Sequence, residues 1–359
     1  NWGGLNDATR NQEFTLGSAP SDYTFGGILG TQEINTRASL YRKGTRISQS
    51  GTNTNYSWRS MITHNSGLMD NGWAYSISGS RRWAKEGYFE GTDYAANSFF
   101  ASVEKRFNKN HSLNFTSIYA QNSRGKNSPN TNEVNDIKGI KYNSYWGYQN
   151  GKKRNSRDKD VEEPILMLSH YWKMSEKTTL NTNVSYQTGS IGNSRFDYQG
   201  ANNPDPTYYK NLPSYFYNDP SNYLADGTNP LANQARANFI ADGQIDWPAI
   251  YTANQNSSNG GKSVYALYQD RTDDKQITAN SILFSDLSDN IKLNAGASFK
   301  KLKSHNFQNM LDLLGGDYFS DVDPFYTGDQ TQSDLNNPNR QIKVGDTYGY
   351  NYNLNAIVM

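Results

Sequence analysis

Two aromatic-rich stretches carry the densest chemistry in this chain: YNSYWGYQNGKKRN (Tyr142–Asn155) and YYKNLPSYFYNDPSNYL (Tyr208–Leu224). Tyrosine and tryptophan offer flat apolar faces with a polar tip, which suits sugar rings, peptides or aromatic chelates. Tyr145, Trp146, Tyr148, Tyr208, Tyr209 and Tyr215 are therefore candidate ligand contacts. The competing reading is that these rings pack long loops against one another. Beside them, Lys152, Lys153, Arg154 and Arg157, continued by Lys159, could grip lipopolysaccharide phosphates or an anionic substrate. Asp158, Asp160, Glu162 and Glu163 dilute that run, so a plain solvated loop is the alternative.

Other chemistries find less support. GDYFSDVDP supplies Asp317, Asp321 and Asp323 as oxygen donors for calcium. Their spacing does not match a twelve-residue EF-hand loop, and no metal site is expected. His64, His111, His170 and His305 are scattered, with no HExxH pair and no Gly-x-Ser-x-Gly elbow. Ser169 precedes His170, but neighbours in a strand point to opposite faces and cannot form a dyad. Gly26, Gly27 and Gly30 are not followed by Lys-Ser/Thr, so they read as turn residues and not as a phosphate loop. With no cysteine, thiolate metal sites and thiol nucleophiles are excluded. The net charge of +1 gives no electrostatic footprint for nucleic acid. The chain reads as a non-enzyme without a cofactor.

The elements that must position these residues are strands. TTLNTNVSYQTGS sets Leu180, Thr182, Val184, Tyr186 and Thr188 opposite Asn181, Asn183, Ser185 and Gln187. NIKLNAGASFK sets Ile291, Leu293, Ala295, Ala297 and Phe299 opposite Lys292, Asn294, Gly296 and Ser298. WAYSISGSRRW aligns Trp73, Tyr75, Ile77 and Trp83, and TYGYNYNLNAIVM alternates Tyr348, Tyr350, Tyr352 and Leu354 with Gly349, Asn351 and Asn353. A period of two marks strands with one apolar and one polar face. ILMLSHYWKM (Ile165–Met174) alternates poorly. Only 35% of the chain is hydrophobic, with a mean hydropathy of −0.88, yet 13% is aromatic, which argues against disorder. A transmembrane β-barrel reconciles these values, because only the outward side chains need be apolar.

Connection lengths sharpen that reading. Short connections fall at 65–72, 108–111, 174–178 and 287–290, and longer ones at about 84–97, 122–163, 190–275 and 303–346. Short turns at one end and long loops at the other define an up-and-down barrel. Two helices are expected inside the loops, NPLANQARANF (229–239) and NFQNMLDLLGG (306–316). About ten strands follow Lys43. Tyr348, Tyr350, Tyr352 and Leu354 are expected to face lipid, with the asparagines toward a wet lumen.

WGGLNDATRNQEF and DYTFGGILGTQEINTRAS (Asp22–Ser39) resemble the tail of the plug domain of a TonB-dependent outer-membrane receptor of the Bacteroidetes type. RKGTRISQSGTNTNYSWR resembles the first barrel hairpin of such receptors, GWAYSISGSRRWAKEGYFEGTDY the third strand and its loop, and YWGYQNGKKRNSR and NPDPTYYKNLPSY recurring loop motifs. The resemblance implies residues 1–40 as plug tail and 41–359 as the first part of a plugged barrel of 22 strands, within a longer protein. It implies a cell outer-membrane receptor that takes up a scarce glycan, peptide or metal chelate. The implied partners are outer-membrane lipid and lipopolysaccharide, a TonB-type energy-coupling protein, and surface lipoproteins or other outer-membrane proteins. The alternative is a receptor-like barrel that no longer transports and serves as a structural subunit of an outer-membrane complex.

Overall fold

The computed structural model describes residues 4–17, 29–323, 326 and 332–359. A hairpin, β1 (Gln12–Leu16) and β2 (Gly30–Ile34), precedes the wall strands. These begin with β3 (Gly44–Gly51), β4 (Trp58–Asn65), β5 (Trp73–Ala84), β6 (Tyr94–Arg106) and β7 (His111–Gly125). Helix α1 (Asn132–Lys138) and a small hairpin, β8 (Trp146–Gln149) with β9 (Lys152–Asn155), intervene. The wall resumes with β10 (Asp158–Glu162), β11 (Ile165–Lys173) and β12 (Thr178–Tyr198). Helices α2 (Pro213–Tyr217), α3 (Pro230–Ala241) and α4 (Trp247–Asn254) lead to β13 (Tyr265–Ser288) and β14 (Ile291–Asp312). A minimal pair, β15 (Phe319–Ser320) and β16 (Gln341–Ile342), precedes the last strand, β17 (Thr347–Val358).

Eleven strands form one antiparallel sheet whose path holds ten positions, from β3 at one edge to β17 at the other. Strands β10 and β11 share one position, both lying between β7 and β12. The interruption falls at Glu163 and Pro164, where proline has no N–H for the ladder. The wall is not closed among the described residues, since β3 and β17 are not neighbours.

The two faces follow from the register. Ser102, Asn114 and Ser169 lie on one face together with Asn183, Asn280 and Ser298. Residues 36–39 bond to this face, which is therefore the inner one. The outer face carries Trp73, Tyr75, Ile77, Phe99, Val103, Phe115, Leu168 and Val184 in consecutive pairings. On β5 this column starts at Trp73, and Trp83 lies on the same face beyond Gly79 and Arg81. Ten residues of a strand tilted by ~45° at ~3.3 Å per residue span roughly 23 Å, the height of a barrel's apolar band. The poor alternation of β11 has a cause: Ile165, on the inner face, packs against the Leu5, Ala8, Phe100 and Ile118 cluster, so both faces of that strand are apolar.

Short turns occupy 66–72, 107–110, 174–177 and 289–290, as the sequence predicts. At 107–110 the Asn108 side chain accepts the backbone N–H groups of Asn110 and His111 at 2.8 and 2.9 Å, closing the turn locally. Gly72 has φ +77°, and a Cβ there would lie 2.5 Å from the Arg106 carbonyl oxygen, so only glycine fits.

Three expectations need correction. The long loops are shorter than predicted, 126–157, 199–264 and 313–346, because β7 and β10 pair with each other up to Gly125 and Asp158, and β12, β13 and β14 go on pairing for 21, 24 and 22 residues. Residues 306–316 are not a helix; β14 runs to Asp312. A register shift between Leu267 and Tyr268, whose partners are Asp312 and Met310, leaves Leu311 as an extra residue and breaks the period of two at the end of the strand. Strand β17 presents the opposite face from the one predicted. Its pairing sets Asn351, Asn353 and Asn355 beside outward residues of β14, and Tyr352 and Leu354 beside inward ones. The Tyr348 and Tyr350 hydroxyls donate to the inward carboxylates of Asp197 and Asp270, both at 3.0 Å. Alternation defines two faces without saying which one is wet. Helix α3, by contrast, lies where expected, with Pro230 at its first turn and the Asn229 side chain accepting the Ala232 N–H at 3.0 Å.

Candidate ligand vestibule and plug-tail contact

Loops 126–157 and 199–264 are built from the inside as a cap on the strand ends. Asn143 is fully buried; its amide donates to the carbonyls of Glu90 and Lys126, and its oxygen accepts the Ser128 N–H. Asn254 donates to the carbonyls of Tyr265, Leu313 and Leu314 and accepts from the N–H groups of Val264 and Tyr265. Two short apolar cores complete the cap: Val134, Tyr142, Leu212 and Phe239, then Ile245, Trp247, Ile250 and Leu314. Gly147 sits so close to the 199–264 loop that a Cβ would lie 1.8 Å from the Ile245 carbonyl oxygen. Burial pushes the Tyr142 hydroxyl well above its ordinary pKa, so it stays a hydrogen-bond donor, to the Gly243 carbonyl.

The predicted aromatic residues separate into two groups. Trp146 is buried, with the Lys153 ammonium 4.3 Å above its ring and Tyr148 edge-on at 5.3 Å. Tyr208, Tyr209, Tyr215 and Phe216 form a chain of T-shaped contacts with centroids 4.8, 5.6 and 5.2 Å apart. Tyr148, Tyr209 and Tyr215 are exposed. A cleft of about 420 Å³ opens beside that chain, lined by Asp205, Lys210, Phe216, Leu231 and Phe239 among others. A second cavity of about 150 Å³ lies deeper, lined by Tyr145, Arg157, Tyr198 and Asp205. Only Tyr145 of the six lines either space.

The predicted cations are mostly engaged in holding the cap together. Lys153 pairs with Glu86 at 2.7 Å. Arg154 pairs with Asp312 at 2.7 Å and lies 4.4 Å over Trp247. Arg157 stacks 5.1 Å over Tyr145, and Lys152 is exposed. The structure brings together a different set. Arg124, Lys159 and Arg195 lie on the inner face at the loop end of β7, β10 and β12, with Lys126 and Arg157 just beyond the strands. Burial, and then Lys159, Arg157, Arg195 and Arg124, hold the Lys126 ammonium below its ordinary pKa. Arg195 alone of these has an ion-pair partner among the described residues, Asp270 at 3.0 Å. The sequence does signal this cluster, in Arg124–Lys126 and Arg157–Lys159 spaced two apart, but the strand pairing is needed to assemble it.

Asp321 is buried and accepts the Gly349 N–H at 3.1 Å, and no group of three His, Cys, Asp or Glu side chains suited to a metal occurs among the described residues. His111 and His170 stack on the outer face, ring nitrogens 3.2 Å apart.

At the opposite end, the segment before β3 is tied to the wall. Glu104 is fully buried; its carboxylate accepts from Arg37 Nε and from the Ser39 N–H, both at 2.9 Å. Arg37 also donates to Ser112 at 2.9 Å and lies 4.2 Å over Tyr171. The Ala38 N–H donates to Asn114, and Ser102 donates to the Thr36 carbonyl. Beside this contact lie cavities of about 220 and 600 Å³, the first lined by Asn181, Asn183 and Asn280, the second by Arg37, Arg106 and Tyr171. Gly30 is in the left-handed region with φ +106°; Gly26 and Gly27 lie outside the described residues.

The structure is similar to that of FpvAI in its complex with pyocin S2, with a TM-score of 0.54 and 9% identity, over 92% of this chain and 36% of that one. It is also similar to the siderophore receptor PiuA from Acinetobacter baumannii, with a TM-score of 0.51 and 13% identity, over 84% of this chain and 36% of that one. The chain thus spans about a third of the length of either structure. No protein-family model matches the chain, and no curated protein matches it. At these identities the likeness is one of fold: a large antiparallel sheet of long strands that fits part of the wall of an outer-membrane β-barrel.

Proposed function

We propose that this wall and plug tail belong to an outer-membrane receptor of the TonB-dependent type, which captures a scarce nutrient under its loops and passes it through a plugged lumen. The observation that carries this reading is the docking of residues 36–39 on the inner wall through Arg37 and Glu104, a lumen occupied by its own chain. The cationic inner rim narrows the ligand class. Arg124, Lys126, Arg157, Lys159 and Arg195 suit a ligand rich in oxygen anions, as a metal chelate is, better than a neutral glycan. Tyr145, beside Arg157, supplies a flat partner whose hydroxyl burial keeps protonated. A TonB-type coupling protein would supply the energy.

The test is uptake of ferric chelates by cells that produce the full protein, against a variant carrying Lys126→Gln, Arg157→Gln and Arg195→Gln. Uptake that falls at least tenfold, with glycan uptake absent throughout, supports the reading. Glycan-dependent growth unaffected by the three changes would overturn it.

One observation favours a second reading. The cap has its own apolar cores and rigid asparagine bridges, which suits a docking platform in a multiprotein outer-membrane complex as well as a solute trap. Stoichiometric lipoproteins retained after gentle solubilisation, with no chelate uptake, would favour this scaffold role.

A further inference from the structure

On β13 and β14 the outer face changes character within two residues. From the short turn at 289–290, the outward residues of β14 are Ile291, Leu293, Ala295, Ala297 and Phe299, and the next two are Lys301 and Lys303. Lys303 is paired directly with Lys275 of β13, and Lys301 with Ile277. Like charges directly opposite in an antiparallel pair repel, with Cβ atoms ~5 Å apart. All three lysines are exposed.

Among the described residues nothing compensates them. The flanking partner of Lys275 on β12 is Thr188, and those of Lys303 and Lys301 on β17 are Asn355 and Ile357. The next outward carboxylate on β13, Asp273, is engaged by Arg271 at 2.7 Å. On β10, Glu162 accepts from the Tyr119 hydroxyl at 2.9 Å. Among the described residues none of the three lysines forms an ion pair. Their height is as telling as their charge. Lys301 is the tenth residue after Ile291, and a tilted strand needs about ten residues to cross the hydrocarbon. Phe299 lies two residues nearer the turn on β14, and Tyr186 is in register with Lys301 through Ile277, so aromatic rings of the interface sit at this level.

We propose that Lys275, Lys301 and Lys303 form a binding site for the phosphate groups of an outer-leaflet membrane lipid. The lipid's acyl chains would run down the Phe299, Ala297 and Ala295 column while its phosphates neutralise the paired lysines. The site is on the opposite face from the ligand vestibule and independent of it. It also differs from the anion contact read from sequence at Lys152–Arg157, where Lys153 and Arg154 already have carboxylate partners.

The experiment compares the full protein with Lys275→Gln/Lys301→Gln/Lys303→Gln in nanodiscs of phosphatidylcholine, titrated with bis-phosphorylated lipid A and followed by native mass spectrometry. The expected result is at least tenfold weaker lipid retention in the triple variant. Lys275→Arg/Lys301→Arg/Lys303→Arg, which keeps the charge, and Lys109→Gln, in the short turn at the opposite end of the wall, should retain lipid as the parent does. Equal retention by the glutamine variant would overturn the proposal. So would displacement of the lipid by millimolar inorganic phosphate, which would mark a general anion site. Loss of binding in the arginine variant would overturn it too, since charge would then not be the recognised property.

Discussion

Strands β5–β7 and strands β13–β14 obey the same alternation and meet different fates. On the inner face of the first group, Ser76, Ser98, Ser102 and Glu104 are fully buried under the segment that precedes β3. On the second, every residue from Ile291 to Ser298 is exposed, whichever face it occupies. Small polar residues line both inner faces. The difference lies in what covers them, and it teaches that a barrel strand specifies a wall while the covering is specified by residues remote in sequence. Arg37 and Glu104 are 67 positions apart, and the pair joins cover to wall.

The comparison can be broken at that point, and the largest effect is expected there. Glu104→Ala leaves the Arg37 guanidinium and the Ser39 N–H without their acceptor in a dry site, at a cost of about 3–5 kcal/mol. Limited proteolysis should then cut within residues 30–43 in the variant and not in the parent. An unchanged digest would mean that the covering does not depend on this pair.

The second effect belongs to the cap. Asn254→Ala removes a side chain that bridges three carbonyls and two N–H groups while 2% exposed. A loss of about 2–3 kcal/mol is expected, confined to the loops. Hydrogen exchange should accelerate at 245–265 and 313–318 and remain slow in β5–β7; acceleration in both regions would show that cap and wall unfold as one unit.

The third concerns pH. Lys126 titrates below the ordinary lysine value, so its positive charge is complete below that depressed pKa and is lost as the pH rises through it. Affinity for an anionic chelate should therefore fall with rising pH before the ordinary lysines titrate. Lys126→Arg should move that fall to higher pH in a binding titration, and a profile identical to the parent's would remove Lys126 from the site.

The smallest effect is expected at the rim. Tyr209→Ala changes an exposed ring and should alter thermal stability by no more than about 0.5 kcal/mol. A larger loss would show that the Tyr208–Tyr209–Tyr215 chain supports the cap and does not merely edge the cleft.

The wall was legible in the sequence because each strand carries its own record of two faces, as in Trp73–Tyr75–Ile77 or Leu180–Thr182–Val184. The four short turns were legible for the same reason. What failed did so where a second influence enters. Residues 306–316 looked helical because Gly315 and Gly316 suit a helix stop, whereas here they follow the end of a strand at Asp312. Tyr348 and Tyr350 looked lipid-facing because nothing local reveals Asp197 and Asp270, which lie on other strands. In the site, Tyr145 and Arg157 could be found from composition, whereas Arg124, Lys126 and Arg195 converge only once β7, β10 and β12 are set side by side. Lys153 and Arg154 were misleading in the opposite way, since their partners Glu86 and Asp312 are far along the chain.

The length of β13 has a mechanical consequence. Its 24 residues extend for roughly 80 Å at ~3.3 Å per residue, or about 55 Å of height at a ~45° tilt. An apolar band takes up about 25 Å of that. The remainder is a stiff, hydrogen-bonded pedestal about 30 Å tall with the cap on top. Whatever reaches the cap therefore meets these loops well clear of the apolar band, held there by paired backbone and not by flexible chain.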